Sequence, residues 1–277
     1  MLLECAALPT AQPSEEIGTV TRASRRAVAA LALAGMLAAR SGQAADFLPA
    51  ASLHLEAARY APVATDLHWT ATMGGGADLV DFGGLRGYIV GEVETIIGNR
   101  RRAFDATQAN YHLETGARRR VGRVVVNPFF HHVSRHLSDR EKAPAVDWNM
   151  LGVRAEATLG EVRRVHVLAS VGHTTLASLV GYRWEIIGRG DVELLRRERF
   201  AGYGAGDARL VTIHPDPALL RGSFVDWRIE GGLRFPRGPR VLETFAAFER
   251  RNDVFLLVPG ARDRALFGLR IRLKEGD

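Results

Sequence analysis

Strict alternation of apolar and polar residues over 225–235 constrains the fold of this chain more than any other sequence feature. Val225, Ile229 and Leu233 are odd-numbered members of the segment, whereas Arg228 and Glu230 are even-numbered members. Successive side chains of a β-strand point to opposite faces, so the pattern predicts one apolar face and one charged face. The segment also has about the length of a tilted strand that crosses a bilayer.

The same alternation recurs along most of the chain from Asp66 onwards. Segments of about ten residues are separated by Gly, Pro, Asp and Asn, which is typical of an all-β barrel or sandwich. The candidate strands are 65–74, 85–97, 105–116, 122–135, 151–159, 165–171, 180–188, 208–214, 225–235, 240–251 and 267–273. We expect an all-β antiparallel transmembrane barrel of about 10–12 strands, because bacterial outer-membrane barrels close with an even number.

A soluble sandwich or a lipocalin-like barrel also alternates, so three further features favour the membrane barrel. The predicted strands are long compared with the five or six residues of a typical soluble strand. Opposite charges share the polar faces, as in Arg154 with Glu156 and Arg228 with Glu230. Aromatic residues such as Trp148 mark strand ends, where an interfacial girdle lies. We therefore predict the cell outer membrane as the location, with Arg and Glu pairs that fill the lumen rather than line a channel.

The N-terminal residues have the three parts of a secretory signal peptide. An arginine cluster ends at Arg26, an apolar run covers 27–39, and small residues follow up to Ala45. We expect cleavage after Ala44, the alternative being a short buried helix. The run is shorter than the roughly 20 residues that a membrane-spanning helix needs. The residues before Val20 are acidic, which does not suit a signal peptide, so we expect translation to start at Val20.

The predicted organisation has three parts: a signal peptide at 1–44, a periplasmic N-terminal extension at 45–63, and the barrel at 64–277. Cys5 is the only cysteine and lies in the predicted signal peptide. The mature chain then has no disulfide, no thiolate nucleophile and no Cys-based metal site. We expect neither a cofactor nor a metal.

The basic residues indicate the kind of partner. The formal net charge is +6, and nearly all the basic residues are arginines, Lys142 and Lys274 being the only lysines. They are scattered through apolar segments, which argues against a nucleic-acid patch on one face. We expect outer-membrane lipids as partners and no nucleic acid. The arginine run at 118–120 is predicted to lie at a turn between strands, either solvated or in contact with anionic lipid head groups.

Polar side chains are densest near the end of the predicted strand at 122–135. In a strand, His132, Ser134 and His136 share one face, while His131 lies on the opposite face with Val133 and Arg135. A serine nucleophile needs a base within hydrogen-bond reach and a third group that orients the base. Either His132 or His136 could be the base, and a carboxylate of the next strand, such as Glu156, could orient it.

Two other interpretations of this cluster stay open. Histidine and serine at a strand end also form purely structural hydrogen-bonded networks. Metal binding by His131, His132, His136 and Asp139 requires ligands that converge on one point. This is disfavoured because His131 and His132 point to opposite faces.

The residues 110–112 and 132–139 resemble a family of Gram-negative outer-membrane β-barrels that carries an H-x-S-x-H-L-G-D-E segment after an N-x-D-Y-like strand. This chain departs from the motif at Ser138, which replaces glycine, and at Arg140, which displaces the acidic residue. That family is of uncharacterised function, so the resemblance implies the barrel fold. As the function we expect an envelope protein with a structural role or a role in binding lipid or a small ligand.

The pair His132 and Ser134 is also similar to the H-x-S pair of lipid A deacylase barrels, which carry a glutamate nearby. No glutamate stands at a corresponding position, Glu141 and Glu156 being the nearest candidates. This second resemblance implies an alternative function, a serine-dependent lipid esterase or deacylase.

Overall fold

A computed structural model describes residues 45–61, 67–99, 102–137, 146–160, 164–214, 222–252 and 260–275. These residues form twelve β-strands. The strands are β1 Asp46–Ala61, β2 Leu67–Phe82, β3 Leu85–Gly98, β4 Asp105–Val121, β5 Val124–Leu137, β6 Val146–Leu159, β7 Val165–Ser178, β8 Tyr182–Arg196, β9 Ala201–Ile213, β10 Ser223–Arg237, β11 Arg240–Arg251 and β12 Arg262–Glu275. No helix within the described ranges is long and apolar enough to cross a membrane.

Each strand pairs antiparallel with its neighbours in the sequence, and β1 pairs with β12 to close the barrel. Closure gives every strand two hydrogen-bonded neighbours, so no strand edge is left to pair with another chain. The prediction of an all-β antiparallel barrel of 10–12 strands is confirmed, with twelve strands.

The segment that we expected to be a periplasmic extension instead forms β1. Its outward residues include Leu53 and Leu55, while the intervening His54 and Glu56 point inward to ionic partners. Glu56 accepts a hydrogen bond from Arg270 Nε at 2.6 Å, so this strand contributes a charge to the interior. The predicted signal peptide at 1–44 lies outside the described residues.

The connections divide the barrel into two ends. One end, the turn end, carries the short connections at 83–84, 122–123, 160–164, 197–200 and 238–239, and also the start of β1 and the end of β12. The other end, the loop end, carries the connections 62–66, 99–104, 138–145, 179–181, 214–222 and 252–261. Outer-membrane barrels have their short turns on the periplasmic side and their longer loops outside the cell.

The two walls of the barrel follow the predicted alternation. Large apolar side chains are exposed on the outer wall, among them Met73, Leu113, Leu151, Val153, Ile186, Ile229, Leu233, Phe267, Leu269 and Ile271. Charged side chains alternate with them and point into the lumen, where Glu243 is fully buried. The outer wall is therefore apolar and the inner wall charged, as the alternation over 225–235 predicts.

Candidate functional site

The His132, Ser134 and His136 cluster lies on the outer wall of β5, near the loop end. The intervening Val133 and Arg135 are only 2% and 5% exposed and point into the lumen. This places His132, Ser134 and His136 on one face, as predicted. Ser134 Oγ lies 2.6 Å from His136 Nε2, so one of the two predicted bases is within hydrogen-bond reach of the hydroxyl.

The other histidine of this face is engaged elsewhere. His132 Nδ1 lies 2.6 Å from Asn149 Oδ1 on β6. Because an amide oxygen only accepts hydrogen bonds, His132 Nδ1 carries the proton and donates it. Tyr111 on β4 packs its ring edge-on against His136, with the ring centroids 5.6 Å apart. His136 is thus the histidine that the structure brings to Ser134, while His132 links β5 to β6.

The structure does not bring Glu156 to Ser134. Glu156 pairs with Val125 in the register of β5 and β6, nine residues along β5 from Ser134. At about 3.3 Å per residue, this separation is roughly 30 Å. Glu156 instead lies 3.8 Å from His166 on β7.

The carboxylate that does lie across from Ser134 is Asp147, its register partner on β6. Directly opposed side chains of an antiparallel pair have Cβ atoms about 5 Å apart. Sequence reasoning missed Asp147 and Asn149 as neighbours of the cluster. The signal that could have found them is their position at the start of the next strand, because a residue late in one strand of a hairpin faces a residue early in the next.

The metal interpretation gains no geometric support in the described ranges. No group of three or more His, Cys, Asp or Glu side chains there is arranged to hold a metal ion. His131 points into the lumen, where its Nε2 lies 3.3 Å from His112 Nδ1, whereas His132 points outward. Asp139, the fourth predicted ligand, lies outside the described residues.

The lumen contains a large ionic network whose centre is Glu243 on β11. Its carboxylate accepts hydrogen bonds from Arg234 Nε at 2.7 Å and from Arg270 Nη1 at 2.8 Å. Arg272 is a third cationic partner. A fully buried carboxylate with several cationic partners is satisfied despite its loss of water.

Arg270 and Arg228 extend this network around the wall. Arg270 also donates to Glu56 and to Glu230, the latter at 3.0 Å. Arg228 donates to the same two glutamates, at 3.3 Å to Glu56 Oε1 and 2.6 Å to Glu230 Oε2. Tyr203 donates its hydroxyl to Glu230 at 2.6 Å. The resulting network links β1, β9, β10, β11 and β12.

A second set of ionic contacts spans more of the lumen. Arg251 on β11 donates to Glu94 on β3, although three strands lie between them in the barrel. On the facing wall, Arg154 donates to both oxygens of Glu114, at 2.8 and 2.7 Å. These ion pairs therefore join strands that are not neighbours across the lumen.

Apolar side chains fill the lumen near the loop end. One buried cluster joins β5, β6, β8, β9 and β10, and its members are Val133, Val146, Trp148, Met150, Tyr182, Val211, Ile213 and Phe224. The ring of Trp148 packs edge-on against Tyr182, and Tyr182 packs in the same way against Phe224. Trp148 therefore points into the lumen, and the prediction that it belongs to an interfacial girdle is wrong. Ring contacts of this geometry add to the stabilisation from burial.

No protein-family model and no curated protein matches this chain. Several solved structures are similar to it. LpxR from Salmonella typhimurium has a TM-score of 0.46 and 9% identity, over 80% of this chain and 99% of that chain. The translocator domain of the autotransporter NalP from Neisseria meningitidis has a TM-score of 0.40 and 8% identity, over 92% and 96% of the two chains. Outer-membrane expressed OmpT of Vibrio cholerae has a TM-score of 0.41 and 10% identity, over 85% and 99%. Likenesses at this level carry no activity over to this chain.

Proposed function

We propose that this chain is an outer-membrane β-barrel with a sealed lumen, which serves the envelope as a structural or lipid-binding protein and not as a diffusion channel. The observation that supports the proposal is the difference in polarity between the two walls. Exposed apolar side chains cover the outer wall, while buried ion pairs and aromatic rings occupy the lumen. In a membrane, an exposed apolar wall contacts lipid, and a closed sheet leaves no backbone group unpaired.

Cell fractionation and gel mobility test the location. The mature chain is expected in the outer-membrane fraction, and the folded barrel is expected to migrate differently before and after boiling. Recovery of the chain as a soluble protein without detergent would contradict the proposal.

Conductance across a planar lipid bilayer tests the sealed lumen. The purified barrel is expected to give no stable conductance steps. The double substitution of Arg251→Ala and Glu94→Ala removes a contact between β11 and β3 and is expected to raise the conductance. An Arg250→Ala and Asp263→Ala double variant, which removes an exposed ion pair instead, is the matched control. Stable steps from the unmodified barrel would show that the lumen is open.

A second candidate function, a serine-dependent lipid esterase or deacylase, is favoured by the distance of 2.6 Å between Ser134 Oγ and His136 Nε2. In such a reaction, Ser134 Oγ attacks the ester carbonyl carbon as its proton passes to His136 Nε2. The same proton then passes to the oxygen of the leaving alcohol, and water releases the acyl group from Ser134. The outer-wall position of Ser134 suits an acyl substrate that is dissolved in the membrane.

Mass spectrometry of lipid A from expressing cells tests this second function. If the esterase operates, an acyl chain is lost with the unmodified protein and retained with Ser134→Ala and with His136→Ala. Ser170→Ala on the inner wall is the matched control and is expected to behave as the unmodified protein does. Identical lipid A in all samples would contradict the esterase and leave the envelope role as the one remaining proposal.

A further inference from the structure

The turn end of the barrel carries a ring of exposed arginines. Six of them form the group that we call the rim arginines, and they lie around the β4–β5, β8–β9 and β10–β11 turns. The rim arginines are Arg119, Arg120, Arg123, Arg199, Arg237 and Arg240. None of the six makes a side-chain ion pair with another residue in the ranges that the structure describes.

Nearby carboxylates do not neutralise this ring. Asp81 is bound to Arg86 Nε at 2.7 Å, and Glu193 is bound to Arg196 Nε at 2.6 Å. Glu198 is exposed beside Arg199 and is outnumbered by the arginines around it. Exposed arginines therefore outnumber unpaired carboxylates around the β4–β5, β8–β9 and β10–β11 turns.

Two rim arginines, Arg237 and Arg240, continue the outer wall directly beyond its apolar residues, and Arg119 lies on the same wall one outward position before the exposed Val121. Arg119 pairs in register with Val126, close to the exposed Val121. Arg237 and Arg240 pair with each other at the end of β10 and β11. They are the next outward positions after Phe235 and Leu242, because outward residues recur every second position.

A phospholipid has the same order of groups along its length, because its apolar acyl chains are followed by a charged phosphate. A lipid with its chains against the apolar wall would place its phosphate at the height of these guanidinium groups. Guanidinium groups present several N–H donors that match phosphate oxygens.

Two arginines near the loop end do have partners within the protein. There Arg250 is paired with Asp263 at 3.0 Å, and Arg59 lies over the ring of Trp69, 5.9 Å from its centroid. These two arginines already have partners within the protein, whereas the rim arginines are left for a ligand.

We propose that the rim arginines bind the phosphodiester head groups of anionic phospholipids in the leaflet at the turn end. This rests on the proposed function, because it requires the barrel to span a membrane. Binding selects anionic over zwitterionic lipid, since the guanidinium charge has no compensating group within the protein. Salt weakens the selection, because these charges are exposed.

Native mass spectrometry of the full barrel, released from vesicles of phosphatidylcholine mixed with phosphatidylglycerol, tests the proposal. The unmodified barrel is expected to retain phosphatidylglycerol in preference to phosphatidylcholine. The triple substitution of Arg119→Gln, Arg237→Gln and Arg240→Gln is expected to lower this preference about fivefold or more. Added salt is expected to lower it in the unmodified barrel as well.

A matched variant removes two charges at the other end, by Arg59→Gln and Arg250→Gln, and is expected to keep the preference. Equal retention by the unmodified barrel and the triple variant, or an equal loss in the matched variant, would overturn the proposal. Gel mobility in pure phosphatidylcholine vesicles reports barrel formation separately. A barrel that forms there but shows no lipid preference refutes only this inference, whereas a chain that forms no barrel refutes the proposed function too.

Discussion

The inner and outer walls of this barrel are built by alternate residues of the same strands, yet they face opposite environments. On β10, Ile229 is 58% exposed, while its neighbours Arg228 and Glu230 are bound to each other at 2.6 Å inside the lumen. The outer wall needs apolar solvent around it, and the inner wall needs each charge to have a partner. The effect of a substitution on the stability of the barrel is therefore expected to depend on whether its position points into the lumen or outward.

β5 is where this contrast weakens. Its outer wall carries His132 and Ser134, which are polar, and its inner wall carries Val133, which belongs to an apolar cluster. Near the loop end of β5, the outer wall is therefore partly polar and the inner wall partly apolar. Because this occurs at a strand end, the outward polar groups lie toward the membrane interface, where they can still bind water or lipid head groups.

The largest effect is expected for Glu243→Leu on the inner wall. The substitution leaves Arg234, Arg270 and Arg272 without a shared acceptor in the lumen. Breaking a buried ion pair by removing one partner costs about 3–5 kcal/mol in the free energy of unfolding. Urea titration of the barrel in lipid vesicles measures this cost. Glu198→Leu at the exposed turn is the control, and an equal loss in both variants would show that the luminal network is not the cause.

The next largest effect is expected for Ile229→Arg on the outer wall. An arginine that faces the bilayer midplane of a barrel costs about 2–4 kcal/mol, and the cost falls to about 0–1 kcal/mol near the interface. Val225→Arg, which lies four residues closer to the loop end on the same face, is the matched variant. The same titration compares the two variants. A cost that is the same at both depths would mean that the outer wall does not face a bilayer.

A smaller difference is expected between neighbouring histidines of β5. His131→Ala leaves His112 without its ring partner inside the lumen, and an unsatisfied buried group costs about 1–3 kcal/mol. His132→Ala leaves Asn149 unpaired on the outer wall near the loop end, where water can replace the lost partner. We expect a lower melting temperature for His131→Ala than for His132→Ala. The reverse order would place the outward cluster, and not the lumen, at the centre of β5 stability.

The assignment of faces could be predicted from the sequence because alternation needs no knowledge of which strands pair. The side chains of 225–235 and of 131–136 point to the faces that their odd or even positions predict. Strand β1 was missed because its inward and outward residues alternate clearly only from Leu53 to Glu56. The run from Gly74 to Gly76 lies inside β2, although glycine runs are typical of turns. There Gly74 leaves room for the ring of His54, which reaches Glu92 at 2.8 Å across that strand.

The partners within the site could not be predicted in the same way, because they depend on strand register. Each residue further along β5 pairs with a residue closer to the start of β6, so the position of Ser134 near the end of β5 selects Asp147 and excludes Glu156. The luminal contact of Arg251 with Glu94 depends on the closure of the whole barrel. No local sequence pattern contains that information.

The smallest effect is expected for Ser134→Ala, and it separates the chemistry of the outward cluster from its architecture. The substitution removes one hydroxyl that faces outward and leaves the apolar packing of Val133 in place. One hydrogen bond contributes about 0.5–1.5 kcal/mol, and the loss is expected at the low end because His136 is exposed and can bond to water instead. Thermal melting of the purified barrel beside Ser170→Ala measures the difference. Since the fold is expected to survive, any change in lipid A with Ser134→Ala would reflect a lost reaction. A melting temperature lowered as far as in His131→Ala would instead make the hydroxyl part of the framework that holds β5 in the barrel.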